Sequence, residues 1–267
     1  MNHSNIISEE VRKKTLLFNT FFFNKLTSKG KPGEVDVGRD KHHQKVKKWL
    51  RHDDIFSKDF LIVPVNRSKH WFLLIVCYPS NVPACVDVDF GRDPESPCII
   101  LMDSLGAVRN GGRNKLTDPL RSLLQAEWKE KRGTEKVFDS EGIPDRRIRV
   151  TVQDNYYDCG LYLLQYVEQF LKNPPAILAS ESNDFKDWVD RKVMSDKREK
   201  IKDIIWRMSR IQNATKAKQE TSTKLEEVSE GEDEVREQVM QDVEIDPQEK
   251  MEEEEDEISE VKEEQID

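Results

Sequence analysis

Cys159 opens the apolar stretch Cys159-Gly160-Leu161-Tyr162-Leu163-Leu164-Gln165-Tyr166, directly after the polar run Gln153-Asp154-Asn155-Tyr156-Tyr157-Asp158. Leu161, Leu163, Leu164, Val167, Phe170 and Leu171 recur near helical spacing, which predicts a helix with Cys159 in its first turn and Asp158 as its N-cap acceptor. A thiol attacks as thiolate, and both the positive end of a helix dipole and a neighbouring imidazolium favour that form. Gly160 leaves room for a substrate backbone to approach the sulfur. Six positions before the thiol, Gln153 offers a side-chain amide N–H to an oxygen that turns negative during attack. The backbone N–H of Cys159 is a second donor.

A nucleophile of this kind needs a base and a group that orients the base. His70 stands between two β-like runs, Leu61-Ile62-Val63-Pro64-Val65-Asn66 and Trp71-Phe72-Leu73-Leu74-Ile75-Val76-Cys77-Tyr78, after the polar turn Asn66-Arg67-Ser68-Lys69. It therefore starts a core strand, with its backbone fixed and its ring free to face a cleft. Asp103 ends the apolar run Cys98-Ile99-Ile100-Leu101-Met102, at another strand edge, where its carboxylate can accept the second imidazole N–H. The other cysteines, Cys77, Cys85 and Cys98, read as small buried hydrophobes, and His42, His43 and His52 as solvated residues of a basic helical segment. Cys159, His70, Asp103 and Gln153 together imply the acyl chemistry of a cysteine protease.

His70-Trp71, Leu101-Met102-Asp103-Ser104-Leu105 and the Gln-x5-Cys-Gly unit resemble the Ulp/sentrin-specific SUMO protease family, which shares a clan with adenovirus protease. Residues 46–60 and 163–168 are similar to the divergent branch of that family that trims SUMO chains. The resemblance covers roughly residues 12–212. It implies Cys159 as nucleophile, His70 as general base and acid, Asp103 as orienter, Gln153 as oxyanion donor, and Trp71 as one wall of a tunnel for the substrate Gly-Gly tail. It also implies SUMO and SUMO-conjugated proteins as partners, release of SUMO from lysine or from SUMO chains, and a nuclear location for a monomeric enzyme. Two alternatives are a protease for another ubiquitin-like modifier and a truncated, non-catalytic SUMO-binding protein. Residues 1–10 contain no aromatic or Phe-Leu followed by Asn-Asp, the family's opening run, so the catalytic domain is expected to be incomplete at its N-terminus.

Composition divides the 267 residues unevenly. Residues 214–267 carry 6 Lys and Arg against 22 Asp and Glu, so the net charge of −9 for the whole chain leaves +7 on residues 1–213. The first part reads as a catalytic domain (1–213) and the second as an acidic disordered tail (214–267) without aromatics. A basic surface suits an acidic protein partner, with no direct nucleic-acid binding expected. No apolar run approaches the ~20 residues of a membrane span, and no membrane partner is expected. Four unevenly spaced cysteines without a Cys-x2-Cys unit point away from a disulfide scaffold and a zinc site, and the chemistry calls for no metal or organic cofactor. Helices are predicted at 11–26, 44–51, around 116–128 with Pro119 in the first turn, from 159, and from 197 to about 211; strands at 60–65, 71–78, 98–103 and 147–152. The fold class expected is α+β, a mixed, largely antiparallel central sheet flanked by helices, as in papain-like and adenain-like cysteine proteases.

Overall fold

The computed structural model describes residues 7–28, 41–83, 93–106, 113–180 and 182–229. The chain divides into two units, Met1–Arg198 and Glu199–Asp267. The first holds a six-stranded sheet in sequence order, β1 (Thr15–Leu17), β2 (Phe60–Arg67), β3 (His70–Cys77), β4 (Cys98–Met102), β5 (Asp145–Val150) and β6 (Asp184–Phe185). The two longest ladders, β2 with β3 and β3 with β4, are antiparallel, while β1, β5 and β6 add in parallel. The sheet is mixed as expected, and antiparallel at its centre.

Strands β2, β3 and β4 are almost wholly apolar because the sheet is covered on both faces. Leu61, Val63 and Val65 of β2, Phe72, Leu74 and Val76 of β3, and Ile99 and Leu101 of β4 enter one core. That core is closed by α2 (Phe22–Leu26), α3 (Lys41–Val46) and α4 (Arg113–Arg132), through Phe22, Phe23, Leu26, Val46, Leu116, Leu120, Leu123 and Leu124. The alternate residues Phe60, Ile62, Leu73, Ile75, Cys77, Cys98, Ile100 and Met102 enter a second core on the opposite face. There α5 (Cys159–Lys172) contributes Tyr162, Leu163, Tyr166 and Phe170, and α6 (Pro174–Leu178) contributes Ile177 and Leu178. Each such side chain contributes about 1.5–3 kcal/mol on burial. Cys77 and Cys98 face each other across the β3–β4 ladder as free, buried thiols, and burial pushes the Cys77 thiol well above its ordinary range. Cys85 lies outside the described residues.

Several sequence-based expectations need correction. Residues 11–26 are not one helix: α1 (Glu9–Lys13) stops at Lys14, Thr15–Leu17 becomes β1 beside β2, and α2 follows an Asn19 turn. The Asn19 side chain accepts the Phe21 N–H at 2.9 Å, a local bond that competes with helix, and the open edge of β2 takes the strand. Pro119 sits in the second turn of α4, not the first. His43 is not solvated: it is 2% exposed, and its Nε2 lies 2.5 Å from Oε2 of Glu127, also buried. The helical stripe that buries Val46 turns His43 toward α4 with it. The segment 214–229 is not structureless either, since α7 (Arg191–Ser195) is followed by α8 (Lys197–Ser229), which runs through the 213/214 boundary. A helix satisfies its backbone within the segment and needs no core, and Ala, Lys, Gln and Glu without Gly or Pro permit it. Residues 230–267 lie outside the described residues. Among the described residues no helix is long and apolar enough to cross a membrane.

One hairpin sets the entry to β3. Arg67 and His70 pair across a two-residue turn in which Ser68 and Lys69 have φ of 53° and 62°. This left-handed backbone favours Asn-Gly and costs other residues roughly 1–2 kcal/mol each. Replacing Ser68→Asn and Lys69→Gly together should therefore raise stability by about 1 kcal/mol, measured by urea denaturation with an unchanged m-value. A lower midpoint would mean the native side chains make compensating contacts. Glu127→Ala, by contrast, should cost about 3–5 kcal/mol, because it leaves the buried His43 without its hydrogen-bond partner and only Glu130, at 3.8 Å, nearby; a loss near zero would show that water or Glu130 replaces the pair.

Candidate active site

The pleat of the sheet brings His70 and Asp103 together. Leu73 pairs with Met102, so one further step puts Asp103 opposite Phe72 and diagonal to His70, on the same face. His70 Nε2 lies 2.7 Å from Asp103 Oδ1, with 14% and 1% of the two side chains exposed. The same carboxylate oxygen accepts the Leu105 N–H at 3.0 Å, so the turn after β4 holds the acid as the acid holds the ring. The carboxylate is an acceptor, which makes Nε2 the protonated nitrogen of a neutral imidazole. Nδ1 is buried and, among the described residues, has no hydrogen-bond partner. A lone pair held in that state is what a general base requires.

Cys159 arrives from the other layer. Cys159 is the first residue of α5 and is 4% exposed. Trp71, the neighbour of His70, packs on the α5 side of the sheet, and its Cδ1 lies 3.6 Å from where a Cβ on Gly160 would stand. The start of β3 and the start of α5 thus meet through residues adjacent to His70 and Cys159. Behind them, Tyr166 of α5 donates its hydroxyl to Thr151 O at 2.5 Å, fastening the helix to the segment that leaves β5. Burial, followed by the neighbouring Tyr162 and Asp103, pushes the Tyr166 phenol well above its usual range, so this donor keeps its proton.

Asp158 is the N-cap residue by position, yet its side chain caps nothing. Its Oδ1 accepts from Arg198 at 2.7 Å and its Oδ2 from Asn155 Nδ2 at 2.8 Å. Asn155 does the turn-making instead, its Oδ1 accepting the N–H groups of Tyr157 and Asp158 at 3.1 and 3.0 Å. Among the described residues, the first-turn N–H groups of α5 thus receive no side-chain bond from the N-cap residue. Gln153, 5% exposed, is held at both ends of its amide: Nε2 donates to Asn155 O at 2.6 Å and Oε1 accepts from the Ser104 hydroxyl at 2.5 Å. Ser104 and Asn155 carried no role in the sequence-based analysis, although Ser104 follows Asp103 directly and Asn155 lies two residues after Gln153. Tyr156 and Tyr157, 89% and 75% exposed, sit on the same loop.

Residues 1–210 match the model of the Ulp1 protease family, C-terminal catalytic domain. Sentrin-specific protease 7 of Rattus norvegicus is 30% identical over 257 residues, covering 75% of this chain and 24% of that protein. The probable ubiquitin-like-specific protease 2A of Arabidopsis thaliana is 34% identical over 214 residues, 76% of this chain and 27% of that protein. The chain thus spans about a quarter of the length of these relatives. A crystal structure described as the de-sumoylating protease superimposes with a TM-score of 0.56 and 21% identity, over 79% of this chain and 77% of that one. At that identity the likeness speaks for the fold.

Two substitutions separate the roles in this site. Asp103→Asn should preserve the circular dichroism spectrum and slow acylation of Cys159 by roughly 10²–10⁴-fold, because an amide at this position no longer selects the Nε2–H tautomer. Gln153→Ala should lower kcat by roughly 10²-fold with KM unchanged. A loss confined to KM would make Gln153 a binding residue.

Proposed function

Because this chain belongs to the Ulp1 protease family, we propose that it is a cysteine isopeptidase that removes SUMO from lysine side chains and trims SUMO chains. The observation that carries the reading is the His70–Asp103 bond with Nδ1 left open, at the end of β3 that contacts the N-terminus of α5.

The geometry supports the following sequence. His70 Nδ1 takes the proton of the Cys159 thiol, and the sulfur attacks the carbonyl carbon of the modifier's C-terminal glycine. The carbonyl oxygen becomes an oxyanion, met by the Gln153 side-chain N–H and the Cys159 backbone N–H. The intermediate collapses with cleavage of the glycine–lysine C–N bond, and the imidazolium gives its proton to the departing lysine amine. A thioester remains. Water then adds to it with His70 as base, and the C–S bond breaks to release the free carboxylate and restore the thiol. Asp103 stabilises the imidazolium in both halves without taking the proton. Trp71, lying over Gly160, is suited to confining a substrate tail whose glycines have no side chains.

SUMO-conjugated proteins as substrates, a monomeric state and action in the nucleus are carried over from the family resemblance. They form part of the same proposal.

A SUMO derivative ending in a vinyl sulfone tests the reading on the whole chain. It should form a covalent adduct with the wild type and none with Cys159→Ser or His70→Ala, read by intact-mass spectrometry. Cys159→Ser should keep SUMO affinity, because the hydroxyl is nearly isosteric with the thiol but a far weaker nucleophile at neutral pH. An adduct with another ubiquitin-like modifier and none with SUMO would reassign the substrate, and no adduct with any would leave a binding protein.

A further inference from the structure

Ser104 follows Asp103 directly and is 1% exposed. Two of its polar groups go to one residue. Its backbone oxygen accepts the Gln153 N–H at 3.1 Å, and its hydroxyl lies 2.5 Å from Gln153 Oε1.

The direction of the second bond follows from the far end of the amide. Gln153 Nε2 lies 2.6 Å from Asn155 O. A backbone carbonyl only accepts, so the end facing it must be the NH2 group. The end facing Ser104 is then the amide carbonyl, and the hydroxyl must donate. One N–H of the NH2 group is used by Asn155 O, and among the described residues the second has no acceptor. Two anchors therefore leave the amide with one open donor and no freedom to turn it away. Donation from the hydroxyl into the amide carbonyl also polarises the group and makes the remaining N–H a better donor.

We propose that Ser104 is a positioning residue of the reaction: its hydroxyl fixes the Gln153 amide so that the remaining N–H is presented to the oxyanion before substrate arrives. The proposal rests on the cysteine-protease reading of this site. It makes one dipeptide, Asp103-Ser104, the support for two functions: Asp103 orients the imidazole and Ser104 orients the oxyanion donor. A hydroxyl lost at this place leaves a buried amide carbonyl without a donor and free to rotate, so its effect falls on the transition state rather than on substrate binding.

The test uses the full chain and two reactions of Cys159. Hydrolysis of SUMO carrying a C-terminal aminocoumarin passes through an oxyanion, whereas alkylation by iodoacetamide is a displacement at carbon and forms none. Ser104→Ala should lower kcat by roughly 10- to 100-fold, leave KM unchanged, and leave the alkylation rate and its pH profile as in the wild type. Ser104→Thr, which keeps the hydroxyl, should restore most of kcat. In a Gln153→Ala background Ser104→Ala should cause no further loss, since the group it positions is gone.

Wild-type kcat in Ser104→Ala, an equal fall in alkylation, or additive losses in the double variant would each overturn the proposal; an equal fall in alkylation would place the effect on His70 through Asp103. Should Ser104→Ala fail to fold, Ser104→Cys keeps the size with a weak donor, and an undiminished kcat in it overturns the proposal. A wild-type chain that cleaves no modifier substrate overturns the cysteine-protease reading and this inference with it, whereas wild-type cleavage with an indifferent Ser104 overturns the inference alone.

Discussion

Strand β3 is buried on both faces, and the alternation of its side chains ties every other part of the molecule to one register. Phe72, Leu74 and Val76 enter the core under α2, α3 and α4; Leu73, Ile75 and Cys77 enter the core under α5. A slip of one residue would exchange the two sets, so the packing of both layers holds the register against slippage. The same alternation sends His70 to the side of Asp103 and Trp71 to the side of Gly160. His70 is thereby fixed against Asp103, and Trp71 against the start of α5, by the two cores that stabilise the fold.

That support is needed, because the site collects local costs. Ser68 and Lys69 enter β3 through left-handed backbone, Nδ1 of His70 is buried without a partner, and the N-terminus of α5 lacks a side-chain cap. A buried unpaired polar group alone costs about 1–3 kcal/mol. All three features lie at the start of β3 or the start of α5, around the proposed site. Stability comes from elsewhere in the sheet: the β2–β3–β4 ladders and the aromatic packing of Phe60, Phe170 and Phe56 with Trp128.

The central strands and α5 were legible in the sequence because they are long apolar runs, and a residue at the edge of such a run has few places to go. The strand-edge places of His70 and Asp103 and the helix-start place of Cys159 were legible for that reason. Gln153 was singled out by its spacing from Cys159. The failures share a different cause. Thr15–Leu17 looks helical until the edge of β2 offers it hydrogen bonds, and His43 looks solvated until Glu127, distant in sequence, appears beside it. Asp158 has the right type and place for a cap, yet Arg198 and Asn155 claim its carboxylate. Ser104 was visible only as part of a motif. In each case the partner is supplied by tertiary contact, which no local pattern carries.

His70, Asp103 and Cys159 also differ in when they can reach their places. His70 and Asp103 belong to adjacent strands of an antiparallel meander, a local unit that a growing chain can complete soon after Asp103 has been made. Cys159 is presented only once β5 has added in parallel to β4 and α5 has covered the finished sheet, contacts of longer range that form more slowly. A half-made chain therefore holds the His70–Asp103 pair before Cys159 has its place. On the proposed reading, the thiol joins that pair only in the last docking event, so the site is assembled together with the completed fold.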